Sequence, residues 1–208
     1  MPNLLRIDAS VRVTDSHSRS LADELQSRWL QANPGGKVNE RDLANNPVRA
    51  LENDTVIGYY TSEENMTETL RQATAQSDML IAELMDSDAL LLSTPMYNFS
   101  VPAVLKAWID QVVRMHKTFG FDDAGNVYGM VKNKPAYVAI ALGAQFTDTP
   151  LMAMDFLRPY LKSLLGFIGF EQVEVFTVES TAQDKDLMEV SKQKMITQIE
   201  ELFSQAVA

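Results

Sequence analysis

Short runs of apolar residues alternate along this chain with longer segments in which apolar residues recur at the helical period. Runs that are apolar almost throughout are typical of strands buried on both faces of a parallel sheet. Five segments of strand length fit this interpretation, although the second is more polar than the others. They are Leu4–Ala9, Lys37–Leu43, Ala89–Leu92, Ala136–Leu142 and Gln172–Val178.

The segments between these strands show the period of amphipathic helices. Pro102 stands where proline is tolerated, in the first turn of a helix, and Gly166 and Gly169 are predicted to end another helix. The predicted helices cover Leu21–Trp29, Leu70–Leu84, Val101–Val112, Phe156–Leu165 and Leu187–Ala206. Two segments lack a regular period. Residues 44–65 are predicted to form an irregular surface excursion, and residues 118–135 a loop or hairpin.

Strands that alternate with helices predict an α/β fold, a doubly wound five-stranded parallel sheet with helices on both faces. No internal repeat, low-complexity segment or linker divides the sequence, so residues 1–208 are expected to form a single domain. In such sheets, ligands bind beyond the carboxyl ends of the strands, where the strand order reverses. A site is therefore expected at the turns after the first, third and fourth predicted strands.

The composition narrows the class of protein. The 208 residues carry a net charge of −10, which argues against a general nucleic-acid binder and against an anionic membrane surface. The chain has no cysteine and only two histidines, so disulfides, a cysteine nucleophile and a histidine-rich metal site are not expected. The N-terminus lacks a long apolar segment, and no stretch reaches membrane-spanning length. These features predict a soluble, cytoplasmic protein.

The first turn, Ser10–Ser18, is rich in hydroxyl groups and contains no glycine. It therefore matches neither the glycine-rich dinucleotide fingerprint nor a Walker loop. Hydroxyl donors beside the free N–H groups of a helix N-terminus can bind a phosphate. The candidate residues are Ser10, Thr14, Ser16, His17 and Ser18. The alternative for Ser18 alone is that it caps the helix.

The third turn carries four bulky side chains, Met96, Tyr97, Asn98 and Phe99, where small residues are more usual. Tyr97 and Phe99 offer an apolar surface on which a planar ring can stack. Asn98 supplies an amide that can hydrogen-bond ring heteroatoms, and Met96 supplies an adaptable contact. The alternative is that these side chains fill the core under a loop. Their position between a buried strand and a helix favours a ligand wall.

The fourth turn is Ala141–Phe146, with the sequence ALGAQF. Gly143 permits either a close approach of the backbone to a ligand or a positive φ. Backbone N–H groups of this turn are expected to face the polar edge of a ring. A phosphate at the first turn and a planar ring between the third and fourth describe FMN in a flavodoxin-like sheet.

Several segments resemble landmarks of a known family, and PMYNF is the most specific of them. These segments are RDLANNP (41–47), SDMLIAEL (77–84), PMYNF (95–99), LKAWID (105–110), TF (118–119) and PYLKSLLGFIG (159–169). They extend over nearly the whole chain. The chain thereby resembles the FMN-dependent NADH-azoreductases, which are flavodoxin-like NAD(P)H:quinone oxidoreductases.

The resemblance implies a homodimer with FMN near the subunit interface. It also implies a ping-pong cycle in which hydride from NADH or NADPH is passed on as two electrons to a quinone or an azo compound. FMN would carry this chemistry without a catalytic side chain. The FMN phosphate and ribityl chain would be bound by Ser10, Ser16, His17 and Ser18. The isoalloxazine ring would be lined by Met96, Tyr97, Asn98, Phe99, Ala141, Leu142, Gly143 and Ala144.

The fourth turn departs from the family pattern, which often has Ser-Arg-Gly-Gly at this place. Residues 141–144 contain no arginine and a single glycine. Reduced flavin has anionic character that the protein must stabilise. Backbone N–H groups of Gly143 and Ala144 are the expected donors, with Arg12 and His17 as further candidates. We expect a changed substrate or nicotinamide preference rather than a loss of flavin binding.

Two other functions fit parts of the sequence. A flavodoxin-like electron carrier would also bind FMN, and an acidic surface suits basic partners, but the irregular segments exceed what a carrier needs. A hydrolase with Ser10 as nucleophile is less favoured because the G-x-S-x-G motif is absent. In the reductase, aromatic side chains of the irregular segments are candidates to cover the flavin from either subunit. They are Tyr59, Tyr60, Phe119, Phe121 and Tyr128.

Overall fold

A computed structural model describes residues 1–205 of the chain. The strands are β1 Asn3–Asp8, β2 Lys37–Asp42, β3 Ala89–Pro95, β4 Phe119–Phe121, β5 Val127–Gly129, β6 Pro135–Ala141 and β7 Gln172–Val178. The helices are α1 His17–Ala32, α2 Asn53–Tyr60, α3 Glu68–Asp86, α4 Ala103–Val112, α5 Leu157–Ile168 and α6 Lys185–Gln205. Short 3-10 turns lie at Glu63–Asn65 and Pro150–Met154.

Five of the strands form one parallel sheet in the order β2-β1-β3-β6-β7. Strand β2 lies on one side of β1, and the chain then crosses so that β3 lies on the other side. The strand order therefore reverses between β1 and β3. Such a reversal opens a crevice at the carboxyl ends of the strands. The α/β fold class predicted from the sequence is therefore confirmed, as is its flavodoxin-like order of strands.

Two apolar layers enclose the sheet because successive residues of its central strands point to opposite faces. Leu90 and Leu92 belong to the core under α3, α4 and α5, whereas Ala89 and Leu91 belong to the core under α1 and α6. This burial on both sides explains why these strands are apolar throughout.

The excursion predicted at residues 44–65 contains a helix, α2, which the sequence analysis missed. This helix is short and exposes Val56, Ile57 and Tyr60, so its apolar residues do not follow the period of a core-facing helix. Gly58 packs directly on α3, because a Cβ at this position would lie 2.6 Å from Cγ2 of Thr74.

The hairpin predicted within residues 118–135 is formed by the antiparallel pair β4 and β5. The prediction that Gly166 ends a helix is wrong, since α5 continues to Ile168. Gly169 follows it with a φ of 117°, the left-handed conformation that favours glycine at a helix end. The last helix is described as far as Gln205, and Ala206, its predicted end, lies outside the described residues.

Within residues 1–205, each helix is too short or too polar to cross a membrane.

Candidate active site

The three turns singled out in the sequence lie side by side at the carboxyl edge of the sheet. The Ala9 N–H, directly before the first turn, donates to the Ser93 carbonyl of β3 at 2.8 Å. The Met96 N–H donates to the Ala141 carbonyl at 3.0 Å, which joins the third turn to the fourth. The switch point between β1 and β3 is therefore flanked by the residues that the sequence analysis selected.

The N-cap of α1 is Ser16, so the alternative prediction that Ser18 caps this helix is wrong. The Ser16 side chain makes no capping hydrogen bond. Both serines are buried, and their hydroxyl oxygens lie 3.4 Å apart. The first N–H groups of a helix have no partner within the helix. Two hydroxyls and these N–H groups are thus available to an anion.

The other three candidates of the first turn have separate surroundings, and Thr14 among them is exposed. The Ser10 hydroxyl is engaged locally: it donates to the Arg12 carbonyl at 3.2 Å and lies 3.3 Å from the Arg12 N–H. His17 is half-buried and lines a cavity between α1 and α6 together with Met188 and Lys192. His17 lies between the two serines in sequence, and its backbone N–H belongs to the first turn of α1.

A network of charges, buried at Arg6 and Asp8 and partly exposed at Arg19 and Asp42, lies under the first turn and was not predicted from the sequence. Arg6 pairs with Asp8 at 3.0 Å, and Arg19 lies 3.5 Å from the same carboxylate. Arg19 also donates two hydrogen bonds to Asp42, at 2.8 and 2.9 Å. These hydrogen bonds lower the pKa of Asp42 to about 2. The network joins the ends of β1 and β2 to the start of α1, and its only sequence signal is charge within a strand-like run.

The third turn is a tight reversal that exposes its large side chains. Tyr97 and Ser100 exchange two backbone hydrogen bonds of 3.1 Å, and the residues between them, Asn98 and Phe99, have φ values of 47° and 69°. Two positive φ angles in such a turn are typical of type I′. Phe99 in this conformation costs on the order of 1 kcal/mol, a strain that is often found at ligand sites.

Exposure decides between the two interpretations of the third turn. Tyr97 and Phe99 remain 37% and 39% exposed, and Asn98 is exposed as well. The core-filling alternative is therefore wrong for these three residues. Met96 is half-buried and packs against the core, so that alternative describes it in part.

The fourth turn presents backbone rather than side chains. Ala141 and Leu142 are buried, whereas Gly143 and Ala144 are half-buried. Gly143 does not have a positive φ, which was one of the two alternatives that glycine permits here, and a Cβ at this position would meet Ala182 at an ordinary 3.6 Å. The N–H groups of residues 143, 144 and 145 make no hydrogen bond within the described part of the chain. Three donors are thus left for a ligand.

The site therefore has two chemically different parts. Next to α1 it offers hydroxyl and N–H donors suited to a phosphate. Next to β3 and β6 it offers an exposed aromatic turn and a row of N–H donors, which suit a planar ring with a polar edge. FMN combines these two groups in one molecule, and the residues present fit it.

The doubly wound sheet and the two-part site at its switch point define a flavodoxin-like protein. A family model described as flavodoxin-like fold matches residues 2–202. The crystal structure of an azoreductase from Bacillus anthracis str. Sterne has the same fold, with a TM-score of 0.89 over 99% of this chain and 100% of that one. Its sequence is 23% identical.

Relatives with higher sequence identity specify the family more closely. An FMN-dependent NADH:quinone oxidoreductase from Xanthobacter autotrophicus is 47% identical over 84% of this chain and 85% of its own. A protein of the same name from Beijerinckia indica is 43% identical over 86% and 88%. The chain belongs to this family of FMN-dependent NADH:quinone oxidoreductases, which confirms the resemblance noted in the sequence.

Proposed function

We propose that this protein is an FMN-dependent NADH:quinone oxidoreductase that also reduces azo compounds by two electrons, in a ping-pong cycle. The observation that carries this proposal is the pairing of an anion-binding turn with an aromatic turn at the switch point of a sheet of this family. Bound FMN supplies the redox chemistry, a two-electron exchange with the nicotinamide and then with the acceptor. We place this activity in the cytoplasm, where the nicotinamide donor is available.

The first turn holds the phosphate end of the cofactor. Ser16 and Ser18 donate from their hydroxyls, and the first N–H groups of α1 add donors and the positive end of a helix dipole. Ser10 supports this turn through its bonds to Arg12 and through its carbonyl, which accepts from Arg19 at 2.9 Å.

The third and fourth turns hold the ring. Tyr97 and Phe99 provide the apolar wall and Asn98 an amide beside it. The N–H groups of residues 143–145 would face the polar edge of the ring, where negative charge develops on reduction, and preorganised donors stabilise such charge. Arg158, an arginine near this loop, pairs with Asp155 and Glu179, so these N–H groups replace the arginine of the family pattern.

A second copy of the chain completes the site in this proposal. Tyr60, Phe121 and Tyr128 are 76%, 53% and 45% exposed and are suited to contact a partner subunit. Tyr59 and Phe119 are engaged within the chain instead. The Tyr59 hydroxyl lies 2.8 Å from the side-chain oxygen of Gln111, and Phe119 packs on the ring of Phe167 at 4.8 Å.

The first experiment is a visible absorption spectrum of the purified protein with FMN under nitrogen. We expect flavin bands that bleach with NADH and return when a quinone is added, and parallel runs with NADPH give the donor preference. Bands that persist with both donors would favour the one-electron carrier. A protein that leaves added FMN free in solution would refute the proposed site.

A further inference from the structure

The loop that presents the three N–H donors is held by a second segment, residues 179–182, which we call the strap. The strap follows β7. The N–H groups of Ser180, Thr181 and Ala182 donate to the carbonyls of residues 144, 142 and 143, at 3.2, 3.1 and 3.0 Å. The Thr181 hydroxyl adds a bond of 3.0 Å to the carbonyl of residue 142.

These bonds fix the direction of the donors. In a trans peptide the carbonyl of one residue and the N–H of the next point in opposite directions. The carbonyls of residues 142, 143 and 144 all face the strap. The N–H groups of residues 143, 144 and 145 therefore point away from it, and they are the same three that have no partner within the described residues.

Glu179, the first residue of the strap, anchors the rest of the loop. Its buried carboxylate accepts from the N–H groups of Phe146 at 2.9 Å and Thr147 at 3.0 Å, and from the Thr147 hydroxyl at 2.7 Å. Arg158 at the start of α5 donates to it at 3.2 Å. Phe146 in turn packs edge-on against Phe99, with ring centres 6.4 Å apart. One carboxylate is thus connected to both walls of the ring site.

We propose that Glu179 is a positioning residue for the flavin ring: through the strap and Phe146 it holds the donors of residues 143–145 against the polar edge of the isoalloxazine. This inference rests on the proposed function, because it assumes that FMN occupies the site. Glu179 does not touch the cofactor and takes part in no chemical step. Its removal loosens donors that stabilise negative charge on the ring, so both flavin affinity and reduction potential depend on it.

The test compares Glu179→Ala and Glu179→Gln with the wild-type protein and with Glu83→Gln. Glu83 pairs with Arg41 across β2 and α3, away from the loop, so the control removes a carboxylate from another ion pair. The dissociation constant of FMN is measured by fluorescence titration of the flavin-free protein. The reduction potential of the bound flavin is measured by equilibration with a reference dye.

We expect Glu179→Ala to weaken FMN binding about tenfold, the scale of one hydrogen bond from a loop donor to the negatively charged edge of the flavin, and to make the potential more negative. Glu179→Gln keeps one acceptor oxygen, so its FMN affinity and reduction potential should fall between those of Glu179→Ala and the wild type. Both values of Glu83→Gln should match the wild type. If Glu179→Ala does not fold, Glu179→Gln decides.

Wild-type values in the Glu179 variants, or equal shifts in Glu83→Gln, would overturn the inference. A wild-type protein that binds no FMN would refute the proposed function instead, so the two failures are distinguishable.

Discussion

Ser16 and Ser18 place two small hydroxyls side by side at the start of α1. Each is buried, and the only hydrogen-bonding contact of either hydroxyl in the described residues is the other one, at 3.4 Å. Burying a hydroxyl without a strong hydrogen-bond partner costs free energy relative to leaving it in water. A phosphate bound at the start of α1 would supply the missing acceptor for both.

Replacing Ser16 or Ser18 by alanine should therefore weaken binding of FMN about tenfold, because each change removes a hydrogen bond to a charged group. Binding of riboflavin, which has no phosphate, should stay unchanged. Fluorescence titration with both flavins measures the ratio of the dissociation constants of FMN and riboflavin for each variant. Ser20→Ala, at an exposed position of the same helix, is the matched control. Equal losses for both flavins would place these hydroxyls away from the phosphate.

Residue types singled out the three candidate turns more clearly than the role of each residue in them. The hydroxyl-rich turn and the MYNF turn stand out in sequence because such residues are unusual after buried strands. Ser18 rather than Ser16 was considered as an alternative helix cap because helix ends are uncertain by one or two residues in sequence. The positive φ of Phe99 was not predictable, since it is a feature of the turn rather than of phenylalanine.

At the scale of elements, buried strands and long amphipathic helices were predictable because core burial imposes a period. α2 was not, because its exposed side is apolar. The strap was also not predictable: Ser180, Thr181 and Ala182 act mainly through backbone N–H groups, which every residue except proline has. Glu179 alone left a signal, a carboxylate at the end of an apolar strand.

The ion pair of Arg19 with Asp42, which joins α1 to β2, makes stability depend on pH. The pKa of Asp42 is about 2 in the folded protein and about 3.9 in an unfolded chain. Its stabilisation is fully present above the unfolded value and is lost as the pH falls towards 2. After solvent screening of this partly exposed group, we expect about 1 kcal/mol.

Denaturant unfolding between pH 2 and 6, at intervals of about half a pH unit, measures this contribution. The free energy of unfolding of Asp42→Asn should fall less than that of the wild type between about pH 4 and pH 2. Asp123→Asn, which makes the same change on the exposed hairpin, should follow the wild-type curve. Identical curves for all three proteins would show that this ion pair does not stabilise the fold.

At the scale of the whole molecule, the exposed apolar side chains of α2 support the proposed homodimer. Ile57 is 47% exposed, beside Val56 and Tyr60 on the same helix. Ile57→Asp should shift a dimer towards monomer, because a charge on a covered apolar surface is costly. Sedimentation velocity measures the shift.

Val190→Asp, on α6 and 68% exposed in this chain, is the control and should remain dimeric. Circular dichroism of both variants verifies that the chain is still folded. A wild-type protein that sediments as a monomer would refute the dimer.

Contacts made through the backbone also affect which amino-acid substitutions the proposed site tolerates. A donor N–H survives every replacement of its own side chain except proline, so in the proposed site residues 143–145 can vary widely without changing the donors that face the flavin. Mutational sensitivity moves instead to Glu179, which lies outside the pocket. A saturation library selected for flavin retention should therefore tolerate most changes in the loop and few at the carboxylate behind it.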